Sequence, residues 1–168
     1  AYLVSDAAPK LFVCMAEERA RFEALLAVPV ATLSPGGAGT LGARFAEAAP
    51  KIGVAELAGT ETAALLYTSG TTGRPKGACI THCNLALGAA SLADVWSIEG
   101  YDVLLHTLPM YHAHGLLTSV NTILTGGGAI HFLDGFAIDD VLAALNDATV
   151  MMGVPTHYSR LLNSGRLA

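Results

Sequence analysis

Three short stretches hold most of the residues able to do chemistry. The first is YTSGTTGRPKG, residues 67–77, where an unbroken hydroxyl and glycine run at 69–73 lies between the apolar runs 63–67 and 78–80. Glycines let successive backbone N–H groups turn toward one point, serine and threonine hydroxyls add donors, and Lys76 adds positive charge. Those are the parts of a polyphosphate cradle. The spacing is not that of a Walker loop: counted from Gly70, the second glycine of that pattern falls on Pro75. A solvent-exposed linker is the other reading of such a run, and the buried apolar strands expected on either side weigh against it. The second stretch, LPMYHAHG at 108–115, packs two histidines and a tyrosine into a strand-to-helix turn. Histidines two positions apart suit neither one helix face nor a close metal pair, and a satisfied structural imidazole is their ordinary role. The third, VMMGVPTHYSRLL at 150–162, starts a helix at Pro155 and carries Arg160 five positions on, about one and a half turns into it.

These residues need elements to position them. Residues 10–14 read as a strand. Residues 15–28 read as a helix with Met15, Phe22, Leu25 and Leu26 on one face, ended by Pro29. A strand at 30–33, a loop at 34–39 and a helix at 40–49, stopped by Pro50, precede a polar connector at 51–62. After the strands at 63–67 and 78–80, Thr81 is placed to cap a helix whose apolar face is Leu85, Ala89, Leu92 and Trp96. Then come a strand at 102–107, a helix at 115–125 ended by the glycines 126–128, and a strand at 129–133. A helix follows with Ile138, Val141, Leu142 and Leu145 on one face, then a strand at 149–153 and the helix begun by Pro155. Alternating strands and helices predict an α/β fold, layered α/β/α with a mostly parallel sheet. Such sheets bind ligands at the carboxyl ends of their strands. The loop at 67–77, the turn at 109–114 and residues 153–155 all follow strands, and are expected to converge on one sheet edge.

Composition narrows the function. Of 168 residues 52% are hydrophobic and only 14% charged, against roughly a quarter charged in ordinary soluble domains. That imbalance predicts apolar faces covered by segments beyond this stretch. A net charge of −5 without a basic cluster argues against nucleic acid and against anionic membrane surfaces as partners. Residues 103–133 carry no Asp, Glu, Lys or Arg, yet Pro109, the histidines and three consecutive glycines exclude a membrane span there. No signal peptide is visible, and residues 2–5 read as the end of an earlier element. Three cysteines without a regular framework predict reduced thiols and a cytoplasmic setting. Cys79, His82 and Cys83 lack a second Cys/His pair at zinc spacing, so no metal site is expected, and Cys79 and Cys83 are read as core residues on a strand and a helix.

The 67–77 string resembles the signature loop of the adenylate-forming enzymes, the superfamily of acyl-CoA synthetases, luciferases and peptide-synthetase adenylation domains. The resemblance implies that Thr68, Ser69, Gly70, Thr71, Thr72, Gly73 and Lys76 contact the phosphates of ATP. Pro109, Tyr111, His112 and Gly115 match the family's P-x-aromatic-H-x-x-G pattern. This implies that His112 lines the acyl site and meets the substrate carboxylate, where a donor steadies negative charge as the carboxylate attacks phosphorus. His114 occupies a more variable position. Taken with LPMYHAHGL, the third stretch is similar to the malonyl-CoA synthetase branch, whose acid keeps a second carboxylate bound. An arginine fork suits that group, so Arg160 is expected in the pocket beneath His112 and His114, with Met152, Gly153 and Thr156 as walls. A surface arginine is the alternative. His157 stands where aromatic or small residues are common in relatives and receives no role; Arg74 is expected to face solvent.

The resemblance spans residues 1–168 as part of the large N-terminal domain, with 1–62 ahead of the phosphate loop and 63–168 carrying the loop and acyl pocket. It lacks the magnesium-holding acidic motif, the ribose aspartate and the C-terminal domain. It implies an intact acid–thiol ligase of fatty acid metabolism that uses ATP, Mg2+ and coenzyme A to make malonyl-AMP and then malonyl-CoA. These residues alone are expected to perform neither step. Other acyl or aryl ligases, amino-acid adenylation domains and a non-catalytic nucleotide-binding fragment are the competing readings.

Overall fold

The structure, a computed structural model, describes residues 2–49, 53–68 and 74–167. The phosphate-loop positions Ser69, Gly70, Thr71, Thr72 and Gly73, and the helix stop at Pro50, lie outside the described residues. The chain divides into two compact units: Ala1–Leu57 with Leu65–Ala78, and Ala58–Ala64 with Cys79–Ala168.

In the first unit, α1 (Tyr2–Ala7) precedes β1 (Phe12–Cys14), which pairs in parallel with β2 (Val30–Thr32) through the registers Phe12↔Val30 and Cys14↔Thr32. Parallel neighbours need a crossover, here a 3-10 turn at Ala16–Glu18 and the helix α2 (Arg19–Leu25). Phe22 on α2 returns to β1, its ring centroid 4.6 Å from that of Phe12. Thr32 and Thr40 close the following loop reciprocally: each backbone N–H donates to the other's hydroxyl, at 2.9 and 3.0 Å. Thr40 opens α3 (Thr40–Glu47).

The strands β3 (Thr62–Thr68) and β4 (Lys76–Thr81) form a two-stranded sheet. β3 is half-buried along its centre, but β4 is exposed from Lys76 through Cys79. Of the two strands expected to be buried, β3 reaches only half-burial and β4 is exposed. Among the described residues a two-stranded ribbon has too little sheet to cover both its faces. Cys79 on β4 and Cys83 on the next helix are exposed too, which corrects their reading as core residues.

The second unit carries the layered architecture. Thr81 caps α4 (His82–Val95) in a full capping box: its hydroxyl accepts from Asn84 N–H and the Asn84 side-chain Oδ1 accepts from Thr81 N–H, both at 3.1 Å. The first-turn amides of His82 and Cys83 donate to Glu61 and Gly59 carbonyls, so donors left unpaired by the helix start are satisfied. The buried face of α4 is Ala89 and Ala93, flanked by half-buried Leu85 and Leu92. Trp96, expected on that face, is 45% exposed. The helix ends at Val95 and the backbone of Trp96 is no longer helical, so the helical angular progression stops one residue short.

β5 (Val103–His106) is the centre of a parallel three-stranded sheet in the order β6-β5-β7, with β6 (Ala129–Phe132) and β7 (Val150–Met152) at its sides. Neighbouring strand residues point to opposite faces. Leu104 packs with Leu108, Ile123 and Met152; Leu105 packs with Val141, Ala144 and Leu161. Ile123 belongs to α5 (Asn121–Thr125), which packs on α4. Val141 and Ala144 belong to α6 (Ile138–Ala144), and Leu161 to α7 (Pro155–Asn163). Helices therefore cover both faces, which makes this unit α/β/α with a parallel sheet. Leu104 and Leu105 are both 0% exposed, and truncating such a leucine costs roughly 2–5 kcal/mol.

The helix expected at 115–125 is two elements: a π-helix at His114–Val120, then α5. Ser119 Oγ donates to the His114 carbonyl, five residues back, at 2.8 Å. That spacing belongs to the π register rather than the α register.

Candidate active site

Because β5, β6 and β7 are parallel, their carboxyl ends share one sheet edge, and the turns after β5 and β7 meet there. The turn at 107–113 is held by its own backbone: His112 N–H donates to the Pro109 carbonyl at 3.2 Å, and the His112 carbonyl accepts from Leu116 N–H at 3.0 Å. Gly115 is buried where the π-helix packs on this turn. A Cβ there would lie 2.3 Å from the Pro109 carbonyl oxygen, so only glycine allows the approach.

Two cavities open at this edge. One, of about 320 Å3, is lined by His112, His114, His157, Gly115, Val154 and the Leu108-Pro109 turn. The other, of about 350 Å3, is lined by His114, Met152, Gly153 and Tyr158, with Trp96 and Ile98. His114 borders both. His112 is exposed, its ring 4.6 Å from that of Tyr111. Four of the expected acyl-site residues, His112, His114, Met152 and Gly153, therefore meet at one edge of one sheet. Thr156 is exposed and borders neither cavity. Arg160 is exposed as well, and its guanidinium carbon lies 4.8 Å above the Phe136 ring rather than on a wall of either cavity.

His157, given no role from the sequence, does line the histidine cavity. Its spacing of three from Arg160 puts both on one face of α7, and that spacing was the signal available. Its ring stacks on Phe136 with centroids 4.2 Å and planes 20° apart. Burial, then the Arg160 charge, hold its pKa below the ordinary histidine value.

A larger cavity, of about 610 Å3, lies at the ends of β5 and β6 and is bordered by His106, Tyr111, Phe132 and Asp134. His106 is 1% exposed, and neither ring nitrogen has a hydrogen-bond partner among the described residues. Burial pushes its pKa down; the Leu108 backbone opposes this, without a hydrogen bond of good geometry, and the His114 charge adds to the lowering. The sequence offers no sign that His106 is the innermost of the histidines.

Thr68 and Lys76 are exposed at the ends of β3 and β4 that flank residues 69–73. Tyr67 is anchored within its own unit: its hydroxyl donates to Asp6 Oδ2 at 2.6 Å. Its ring packs so closely on Gly77 that a Cβ there would lie 3.2 Å from it. Among the described residues no group of three or more His, Cys, Asp or Glu is arranged to hold a metal ion. Among the same residues no helix is long and apolar enough to cross a membrane.

Comparison with known proteins places this architecture. The sequence profile of the AMP-binding enzymes matches residues 1–168. The chain belongs to the AMP-binding enzyme family. Among curated relatives, the mitochondrial malonate–CoA ligase ACSF3 of Mus musculus is 42% identical over 106 residues, which are 60% of this chain and 18% of that protein. Among solved structures, apo MatB from Rhodopseudomonas palustris superposes with a TM-score of 0.94 at 42% identity, covering 99% of this chain and 34% of MatB. The ATP-bound form of MatB gives 0.91 at 44% identity over the same shares. A malonyl-CoA ligase with methylmalonyl-CoA and AMP bound gives 0.78 at 31% identity, covering 97% of this chain and 33% of that one. The chain thus spans about a third of the length of the solved family members it matches.

Proposed function

We propose that the protein carrying this chain is an ATP-dependent acid–thiol ligase whose acid is malonate or a close 2-substituted relative. A carboxylate oxygen attacks the α-phosphorus of ATP, the bond to the β-phosphate breaks, and pyrophosphate leaves. The coenzyme A thiol then attacks the acyl carbon and AMP leaves. In this reading Thr68, Ser69, Gly70, Thr71, Thr72, Gly73 and Lys76 hold the ATP phosphates. His112 donates to the carboxylate that reacts. Arg160 turns from Phe136 to hold the second carboxylate. Mg2+, if held by ligands outside these residues, would offset phosphate charge. The 168 residues alone perform neither step, and the three free thiols fit a reducing compartment such as the cytoplasm.

The observation that carries the reading is the cavity lined by His112 and His114 at the carboxyl edge of a parallel sheet, in a chain similar to malonate–CoA ligases over most of its length. Pyrophosphate release by the full-length protein, across a panel of malonate, methylmalonate, acetate, hexanoate and benzoate, tests it. Release with the two diacids alone, and loss of that preference in Arg160→Ala, is expected. Equal rates with acetate or benzoate remove the diacid, and no release with any acid removes the ligase. The place of Arg160 on Phe136, outside the cavity walls, favours a second reading in which the acid has one carboxylate, as in a fatty or aryl acid ligase. The same panel separates the two.

A further inference from the structure

With Arg160 on Phe136, α7 still offers the histidine cavity one polar side chain, His157. Three neighbours hold its ring. Phe136 stacks against one face. Thr107 Oγ1, whose residue is 4% exposed, lies 3.4 Å from Nδ1, a long hydrogen bond. Gly153 clears the space beside it: a Cβ there would lie 3.2 Å from Nδ1 and 3.3 Å from the His157 Cβ. A half-buried side chain constrained from three directions is positioned rather than incidental.

The same contacts set its chemistry. Burial and the Arg160 charge favour the neutral imidazole. When the Thr107 hydroxyl donates to Nδ1, the proton resides on Nε2, which has no hydrogen-bond partner among the described residues. A neutral imidazole in this tautomer is a donor, and its neighbours on the cavity wall include two more imidazoles, His112 and His114. The volume, about 320 Å3, is at the small end of ligand cavities.

We propose that His157 is a specificity-determining residue of this site: its Nε2–H donates to the second, non-reacting carboxylate of a small diacid. The inference rests on the ligase reading above and deepens it. His112 meets the carboxylate that reacts, and His157 donates to the one that does not, beside the Arg160 guanidinium once that side chain turns from Phe136. Thr107 is the positioning residue that selects the donating tautomer.

The test is steady-state kinetics of the full-length protein with malonate and with butyrate. Phenylalanine keeps the stacking on Phe136 and removes the donor, so H157F lowers the malonate-to-butyrate ratio of kcat/KM about 10- to 100-fold, the range of a hydrogen bond to a charged group. Most of the loss falls in the KM for malonate. Thr107→Val, which removes the hydroxyl but keeps the shape, moves the ratio the same way by less. Should H157F fail to fold, judged by circular dichroism, His157→Gln keeps a donor and preserves the ratio, whereas His157→Leu lowers it. An unchanged ratio in H157F, or in His157→Leu where that variant replaces it, overturns the proposal. A wild-type protein that releases no pyrophosphate with any acid overturns the ligase reading instead. Imidazole NMR of the full-length protein then decides His157 separately: its signal moves with malonate and not with butyrate if the proposal holds, and with neither if it does not.

Discussion

The Thr149 hydroxyl donates to Asp102 Oδ1 at 2.6 Å and accepts from Val103 N–H at 2.9 Å, tying the entrance of β5 to that of β7. A second bond, from Glu99 N–H to Asp102 Oδ2 at 2.8 Å, orients the carboxylate. The Thr149 hydroxyl and then the Glu99 amide hold the Asp102 pKa below the usual carboxylate value. This clasp sets the register that brings His106 opposite Met152 at the far end of the strands, where the candidate site lies.

Thr149→Val keeps the β-branched shape and removes the hydroxyl. The Asp102 pKa then rises toward its ordinary value, and thermal stability at neutral pH falls. Loss of the Val103 amide's acceptor alone contributes on the order of 0.5–1.5 kcal/mol. Because a lowered carboxylate pKa stabilises the fold above the unfolded value, near 3.9, and loses that contribution as pH drops through the folded one, the gap between mutant and wild type narrows in strong acid to the pH-independent loss at the Val103 amide. Thermal melts with carboxylate-detected NMR titration follow both effects.

Gly115→Ala forces a Cβ to within 2.3 Å of the Pro109 carbonyl oxygen and 3.0 Å of its carbon. Backbone cannot yield as a flexible side-chain end can, so the turn carrying His112 and His114 must shift. A cost of about 1–3 kcal/mol follows from such overpacking. Near-UV circular dichroism, reporting Tyr111 on that turn, changes with it. Unaltered stability and spectrum would show that the turn can relax freely.

Acidification weakens the second unit through its histidines. His106 and His157 both have pKa values pushed down by burial. Below the unfolded histidine value, near 6.5, the unfolded chain takes up protons that the folded one refuses, so stability falls as pH drops until the folded values are passed. In the 168-residue chain the two imidazoles titrate by NMR below a free histidine, and unfolding needs less denaturant at pH 5.5 than at 7.5. His106→Leu removes an imidazole whose nitrogens make no hydrogen bond among the described residues, and reduces that difference. Ordinary titration of both rings would contradict the argument.

Much of the architecture was legible because it is local. Thr81 ahead of an apolar-periodic run announced α4, and the structure shows the capping box. Pro155 announced the start of α7. Alternation of strands and helices announced a parallel sheet with helices on both faces. The failures were non-local. Trp96 continues the spacing of α4, but the helix ends before it. Cys79 reads as a core strand residue, but its ribbon leaves that strand exposed. Residues 115–125 read as one helix, but the first part of that stretch, from His114 to Val120, takes the π register, with the Ser119 hydroxyl donating to the His114 carbonyl five positions back.

At the candidate site the same division holds. The sequence by itself determined where the stretches resembling this family lie: the hydroxyl-and-glycine run, the two histidines after Pro109 and the helix begun by Pro155, since each depends on residue type and short spacing. The tertiary structure alone decided that Thr107, fifty residues from His157, lies 3.4 Å from that ring's Nδ1, and that Phe136 takes up the Arg160 guanidinium. Those outcomes depend on the register of β5 against β7 and on the packing of α7 beneath the sheet. Contacts between distant segments are chosen by the fold as a whole, and no spacing along one segment encodes them.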